Sequence, residues 1–96
     1  MSAQTSTPRF PFGALVATPT ALTAIAEAGQ RPAEFLRRHG QLEQGELSAD
    51  DHRENQFSLD KSLRIFSSFK TDADAKVWII TEADRSLTTI LTPEDY

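Results

Sequence analysis

Few side chains in this 96-residue sequence are spaced to do chemistry. The two histidines, His39 and His52, fall on different predicted elements. Asp50 and Asp51 precede the second, but no HExxH, paired-histidine or calcium-loop spacing gathers them around an ion. Helix-end and surface roles are the expectation for both. Serines and threonines are numerous, yet no GxSxG and no local Ser-His-Asp pattern equips one as a nucleophile. Gly13, Gly29, Gly40 and Gly45 form neither common phosphate cradle. The absence of cysteine excludes thiolate zinc sites, disulfides and cysteine nucleophiles, and fits a reducing cytoplasm. No metal and no cofactor is therefore expected, and an enzyme is the poorer reading. One loop does concentrate charge: Glu82, Asp84 and Arg85 lie within Glu82–Ser86, in the kind of connection that often carries function. The plainer account is that Asp84 closes the turn through its own backbone while Arg85 pairs with Glu82 or Asp84.

The elements that must position these groups fit one small domain, with 39% hydrophobic and 25% charged residues. Residues 2–8 are small and polar and cannot offset the entropy of ordering, so residues 1–12 read as a flexible tail and 13–96 as the domain. Phe10 and Phe12, alternating with Arg9 and Pro11, give the end of that tail rings with which to dock. Met1–Phe12 has neither the apolar run of a signal peptide nor that of a membrane anchor, and a soluble cytoplasmic chain is the expectation. GALVA, from Gly13 to Ala17, predicts a short strand. Thr18 suits an N-cap, Pro19 the first helical turn, and Ala21, Leu22, Ile25, Ala26 and Ala28 follow at helical spacing to a stop at Gly29. Pro32 opens a second helix, Ala33–His39, with Phe35 and Leu36 as its apolar stripe. Arg37, Arg38 and His39 crowd its last turn and Gly40 ends it. Ser48-Ala49-Asp50-Asp51 resembles a capping box and predicts a third helix. Leu63–Lys70, Lys76–Thr81 and Leu87–Leu91 then read as a three-stranded antiparallel meander with five-residue links. The fold class expected is α+β: short helices on one face of a small antiparallel sheet.

If the hairpins pair Lys70 with Lys76 and Thr81 with Leu87, side chains of one parity share a face, and Leu63, Ile65, Phe69, Val77, Ile79, Leu87 and Leu91 lie on the helix face. Phe66, Trp78, Ile80 and Ile90 then share the other, rimmed by Arg64, Ser68, Lys70, Lys76 and Thr88. So many large apolar residues on an outer face predict an interaction surface, covered by the Phe10–Phe12 arm, by a second copy, or by a protein partner. Ten Lys and Arg against fourteen Asp and Glu, a formal charge of −4, argue against nucleic acid as the partner, and no membrane partner is expected.

The segment Trp78–Ser86 (WIITEADRS), with Thr88–Leu91, Pro93–Tyr96, Ala17-Thr18-Pro19 and Ala28-Gly29-Gln30, resembles small uncharacterised proteins of bacterial plasmids and integrative elements. The resemblance covers about residues 12–96 and carries no assigned activity. It implies an accessory or interaction protein of a mobile element. Element order is also similar to toxin ribonucleases of the RelE and ParE kind, which would draw a cationic site from Arg64, Lys70, Arg85 and His39. A third reading, an acidic DNA mimic inhibiting a nuclease, would use Glu43, Glu46, Asp50, Asp51 and Glu54.

Overall fold

The structure is a computed structural model and describes residues 8–43, 45, 53 and 63–96. Strand β1 (Ala14–Ala17) leads into helices α1 (Pro19–Glu27) and α2 (Pro32–Gly40). Strands β2 (Ile65–Lys70), β3 (Lys76–Thr81) and β4 (Leu87–Leu91) follow, and the 3-10 turn Pro93–Asp95 comes last. The helix expected from Ser48 lies outside the described residues, apart from Arg53, which is helical.

Local chemistry explains the boundaries. Thr18 is extended and its hydroxyl accepts the Ala21 N–H at 3.1 Å, satisfying one of the unpaired donors at the start of α1, while Pro19 brings no donor to satisfy. Gly29 stops the helix at φ +71, its N–H donating to the Ala26 carbonyl at 2.9 Å. The Thr18 hydroxyl in turn donates to the Asp95 carboxylate at 2.6 Å, tying the start of α1 to the C-terminal turn. Thr18→Ala is expected to cost about 1 kcal/mol. Chemical denaturation checks this, and a loss below about 0.3 kcal/mol would remove the cap from the account.

The sheet order is β1-β4-β3-β2, with β1 parallel to β4 and the remaining pairs antiparallel. The architecture is therefore α+β as expected, on a sheet made mixed by its N-terminal strand. Ala21 and Ile25 of α1 and Phe35 of α2 pack on Phe69, Val77, Ile79 and Ile90, so both helices bury their stripes against one face. Among the described residues no helix is long and apolar enough to cross a membrane.

Two expectations need correcting. Lys70 pairs with Lys76 as anticipated, but Thr81 pairs with Thr88, not Leu87. In the first hairpin the Thr71 N–H donates to Ala75 O, leaving residues 72–74 as an odd-numbered loop. In the second the Glu82 N–H donates to Leu87 O, leaving residues 83–86 as an even-numbered one. An even loop flips the parity of β4. Ile90, expected on the outer face, is instead in the core under the helices, while Leu87 and Leu91 move to the outer side.

The second correction concerns the tail. Phe10 is buried, Phe12 is half-buried, the Arg9 N–H donates to Gly40 O at 2.8 Å, and Phe10 packs with Leu42 and Ile65. Residues 8–12 thus belong to the domain, because two rings bury enough apolar surface to offset ordering a short segment. They cover the helix side of the sheet, not the outer face. Gly40 permits the approach: a Cβ there would stand 2.9 Å from the Phe12 ring and 3.0 Å from Pro8.

Candidate functional site

The pairing of β2 with β3 sets out the outer face in rungs. Phe66 lies opposite Ile80, Ser68 opposite Trp78, and Lys70 opposite Lys76. One step beyond the Ile65–Thr81 pair, Arg64 comes under the attraction of Glu82. Apolar rungs therefore occupy the middle of the ladder and cations stand at both ends. Lys70 is bridged to Asp74 at 3.4 Å within its hairpin.

Those middle rungs form a cup. Phe66 meets Trp78 edge to face, with centroids 5.2 Å apart and planes at 81°, and Tyr96 meets Trp78 from another side at 5.8 Å and 71°. Ile80 is buried and forms the floor, and Arg64 completes the rim by donating from Nη2 to the Tyr96 hydroxyl at 3.1 Å. The open hollow, lined by Arg64, Phe66, Trp78, Ile80 and Tyr96, measures about 280 Å³. The Tyr96 hydroxyl, with a smaller contribution from Glu82, holds Arg64 above its ordinary guanidinium range, so the rim is cationic at any physiological pH. The structure thus brings together Phe66, Trp78, Ile80 and Arg64 of the expected interaction face and places Lys70 and Lys76 along it. It removes Ile90 and adds Tyr96. The signal for Tyr96 was in the sequence: Thr92-Pro93-Glu94-Asp95 is a capping box with proline at the first turn. Asp95 accepts from the Thr92 N–H at 3.0 Å and its hydroxyl at 2.9 Å, and the turn carries Tyr96 onto the outer face.

On the other side of the sheet His39 is fully buried and hydrogen-bonded at both ring nitrogens. Nδ1 lies 2.6 Å from Ser67 Oγ and Nε2 lies 2.8 Å from Thr81 Oγ1. Thr81 Oγ1 is 2.8 Å from Thr88 Oγ1, and the Thr88 hydroxyl donates to the Phe12 carbonyl at 2.8 Å. Counting hydrogens orders the whole chain. A carbonyl only accepts, so Thr88 spends its hydrogen on Phe12 and accepts from Thr81, which must then accept from Nε2–H. That leaves Nδ1 to accept from Ser67. The histidine is the neutral Nε2–H tautomer, and burial pulls its pKa down from 6.5 to about 3. Phe10 and Phe12 close over it at centroid distances of 5.3 and 5.9 Å. His39 is at a helix end, as expected, but neither exposed nor charged. Its place four residues after Phe35 on the apolar stripe was the signal that it turns inward.

The Glu82–Ser86 loop is tied down by its own side chains. Asp84 Oδ1 accepts from the Ser86 N–H at 3.0 Å and the Ser86 hydroxyl at 2.6 Å, and these bonds lower its pKa. Arg85 adopts φ +61 and directs Nη1 at the carbonyls of Leu63, Glu82 and Ala83, at 2.6, 3.0 and 3.2 Å, with its guanidinium 5.6 Å from the Phe10 ring centre. The arginine holds backbone rather than pairing with either acid. Arg64, Lys70, Arg85 and His39 are not gathered: the first two line the outer face, Arg85 clamps a loop, and His39 is sealed on the helix side. Of the proposed acidic surface only Glu43 is described, exposed and 3.7 Å from Arg38, while Glu46, Asp50, Asp51 and Glu54 lie outside the described residues, as does His52. Among the described residues no three His, Cys, Asp or Glu side chains group to hold a metal ion.

Fold and site define a small α+β protein with an aromatic cup on the sheet face away from its helices. No protein-family model, no curated protein and no solved structure matches the chain.

Proposed function

We propose that this is a non-enzymatic interaction protein that engages a protein partner through the outer face of its sheet. The observation that carries the reading is the cup itself. Phe66, Trp78, Ile80 and Tyr96 converge around about 280 Å³ of open volume, with one guanidinium on the rim. Aromatic and arginine side chains around a concave, partly desolvated pocket are the composition of binding hot spots. The docked arm supports the reading further, since residues 8–12 are engaged over His39 and leave the cup uncovered by that segment. Catalysis has less to recommend it, because the one described histidine is buried, neutral and committed at both nitrogens. A cytoplasmic setting accords with the lack of cysteine, and service to a mobile element rests on the resemblance of the Trp78–Ser86 segment.

Sedimentation and acrylamide quenching of Trp78, the single tryptophan, test this. A monomer with an accessible indole is expected, and Trp78→Lys should keep the fold while abolishing partner binding. A concentration-dependent dimer that shields the indole and is split by Trp78→Lys would replace the external partner by a second copy.

A further inference from the structure

We propose, resting on that reading, that the partner presents an acidic, extended segment whose single aromatic side chain fills the cup. Size comes first. A cavity of about 280 Å³ sits below the usual range for drug-sized ligands, about 300–1,000 Å³, and suits one large side chain. Shape comes second. Phe66 and Tyr96 stand at 81° and 71° to Trp78, so the indole meets its neighbours edge to face and the three wall a socket instead of offering one continuous stack for successive bases.

Charge selects the segment around the anchor. The chain carries −4 overall, yet the outer face sets Arg64 at one end of the apolar rungs and Lys70 directly across from Lys76 at the other. Like charges directly opposite on one face destabilise a sheet, and among the described residues Lys70 is bridged to Asp74 while Lys76 has no ion pair. Among the described residues, Arg64 has a single hydrogen-bonded partner, the Tyr96 hydroxyl, and Glu82 acts on it only as a nearby charge. Carboxylates flanking the anchor on both sides would meet Arg64 at one end and relieve the Lys70–Lys76 opposition at the other. An extended chain advances about 3.3 Å per residue, so acids two or three positions either side of the aromatic reach the two ends. Electrostatic matching of this kind sets which partner is accepted and how fast it arrives.

The test uses the full chain, ¹⁵N-labelled, and four probes. These are acetyl-Glu-Asp-Phe-Asp-Glu-amide, the same peptide with alanine for phenylalanine, the same peptide with lysines for all four acids, and oligo(dT). The acidic aromatic peptide should shift the Trp78 indole N–H and the Arg64 amide. It should bind at least tenfold more tightly than either altered peptide. Lys76→Glu, a rim change that leaves the core alone, should weaken the acidic probe and strengthen the lysine one. Equal binding of the acidic and basic peptides, or shifts that map away from the cup, in a monomer whose Trp78 remains accessible, would overturn the acidic-segment assignment and leave the interaction reading in place. A dimer that shields Trp78 would overturn both. Oligo(dT) binding more tightly than any peptide would overturn both in favour of nucleic acid.

Discussion

Lowering the pH from 7 to 5 is expected to remove about 2 kcal/mol of folding stability through His39. In the unfolded chain this imidazole titrates near 6.5, whereas burial holds it near 3 in the folded protein. The unfolded state therefore takes up a proton throughout that window and the folded state does not. The contribution is fully present above pH 6.5, falls as the pH drops from 6.5 toward 3, and is gone below 3. Asp84 and Asp95 are also lowered, by bonds from Ser86 and Thr18, but they add their losses only where free carboxyls titrate, further down the scale. The described groups that hydrogen-bond to His39 or pack their rings on it, Ser67, Thr81, Phe10 and Phe12, are uncharged and offer no counter-ion to an imidazolium. Urea midpoints at pH 7, 6 and 5 read the effect. His39→Gln, which keeps a donor and an acceptor but does not titrate, should flatten the curve by that amount and so separate His39 from His52. A wild-type curve as flat as the variant's would show that His39 is open to water. Imidazole ¹⁵N shifts give a second reading, with protonation at Nε2 expected.

Where the sequence was legible, a local rule sufficed. Thr18-Pro19 started a helix and Gly29 ended it; branched and aromatic runs marked β2, β3 and β4. The rungs Phe66–Ile80 and Ser68–Trp78 followed from pairing Lys70 with Lys76. Failure came where one residue of loop length decided parity. Both hairpin loops place a non-glycine residue in the left-handed region, Asp74 at φ +70 and Arg85 at φ +61, so no glycine marked where each turn falls. That single unmarked step sent Ile90 to the core and Leu91 outward. The His39 network was hidden for a different reason. Ser67, Thr81 and Thr88 sit on inward positions of three strands, and a hydroxyl at such a position reads as a weak alternation until its partner from a distant helix is known. The cup was mostly legible because four of its lining residues, Arg64, Phe66, Trp78 and Ile80, lie on β2, β3 and the residue before β2, whose pairing was foreseen.

Gly13→Ala should cost roughly 3 kcal/mol or more, placing it among the severe single substitutions. Gly13 sits at φ +67, and a Cβ there would fall onto the carbonyl group of Ser86 and against the Arg85 carbonyl oxygen, all of it backbone that cannot turn aside. Gly29→Ala is the matched control: its φ is +71, yet nothing lies within 4 Å of the added carbon. That variant should lose only the left-handed backbone penalty, about 1 kcal/mol. The difference between the two isolates the close approach of the arm to the β3–β4 loop, which the Ala14 N–H and Ser86 O hold together at 3.0 Å. Relief of the clash must push β1 and the arm away from β4, drawing the Phe12 carbonyl from Thr88 and opening the cover over His39. Gly13→Ala should therefore also shrink the pH-dependent loss between 7 and 5, because water reaches the imidazole in the folded state. The cup, on the opposite face, should still bind the acidic peptide. Equal costs for the two glycine variants would mean that the arm is not seated on Ser86, and the account of His39 burial would fall with it.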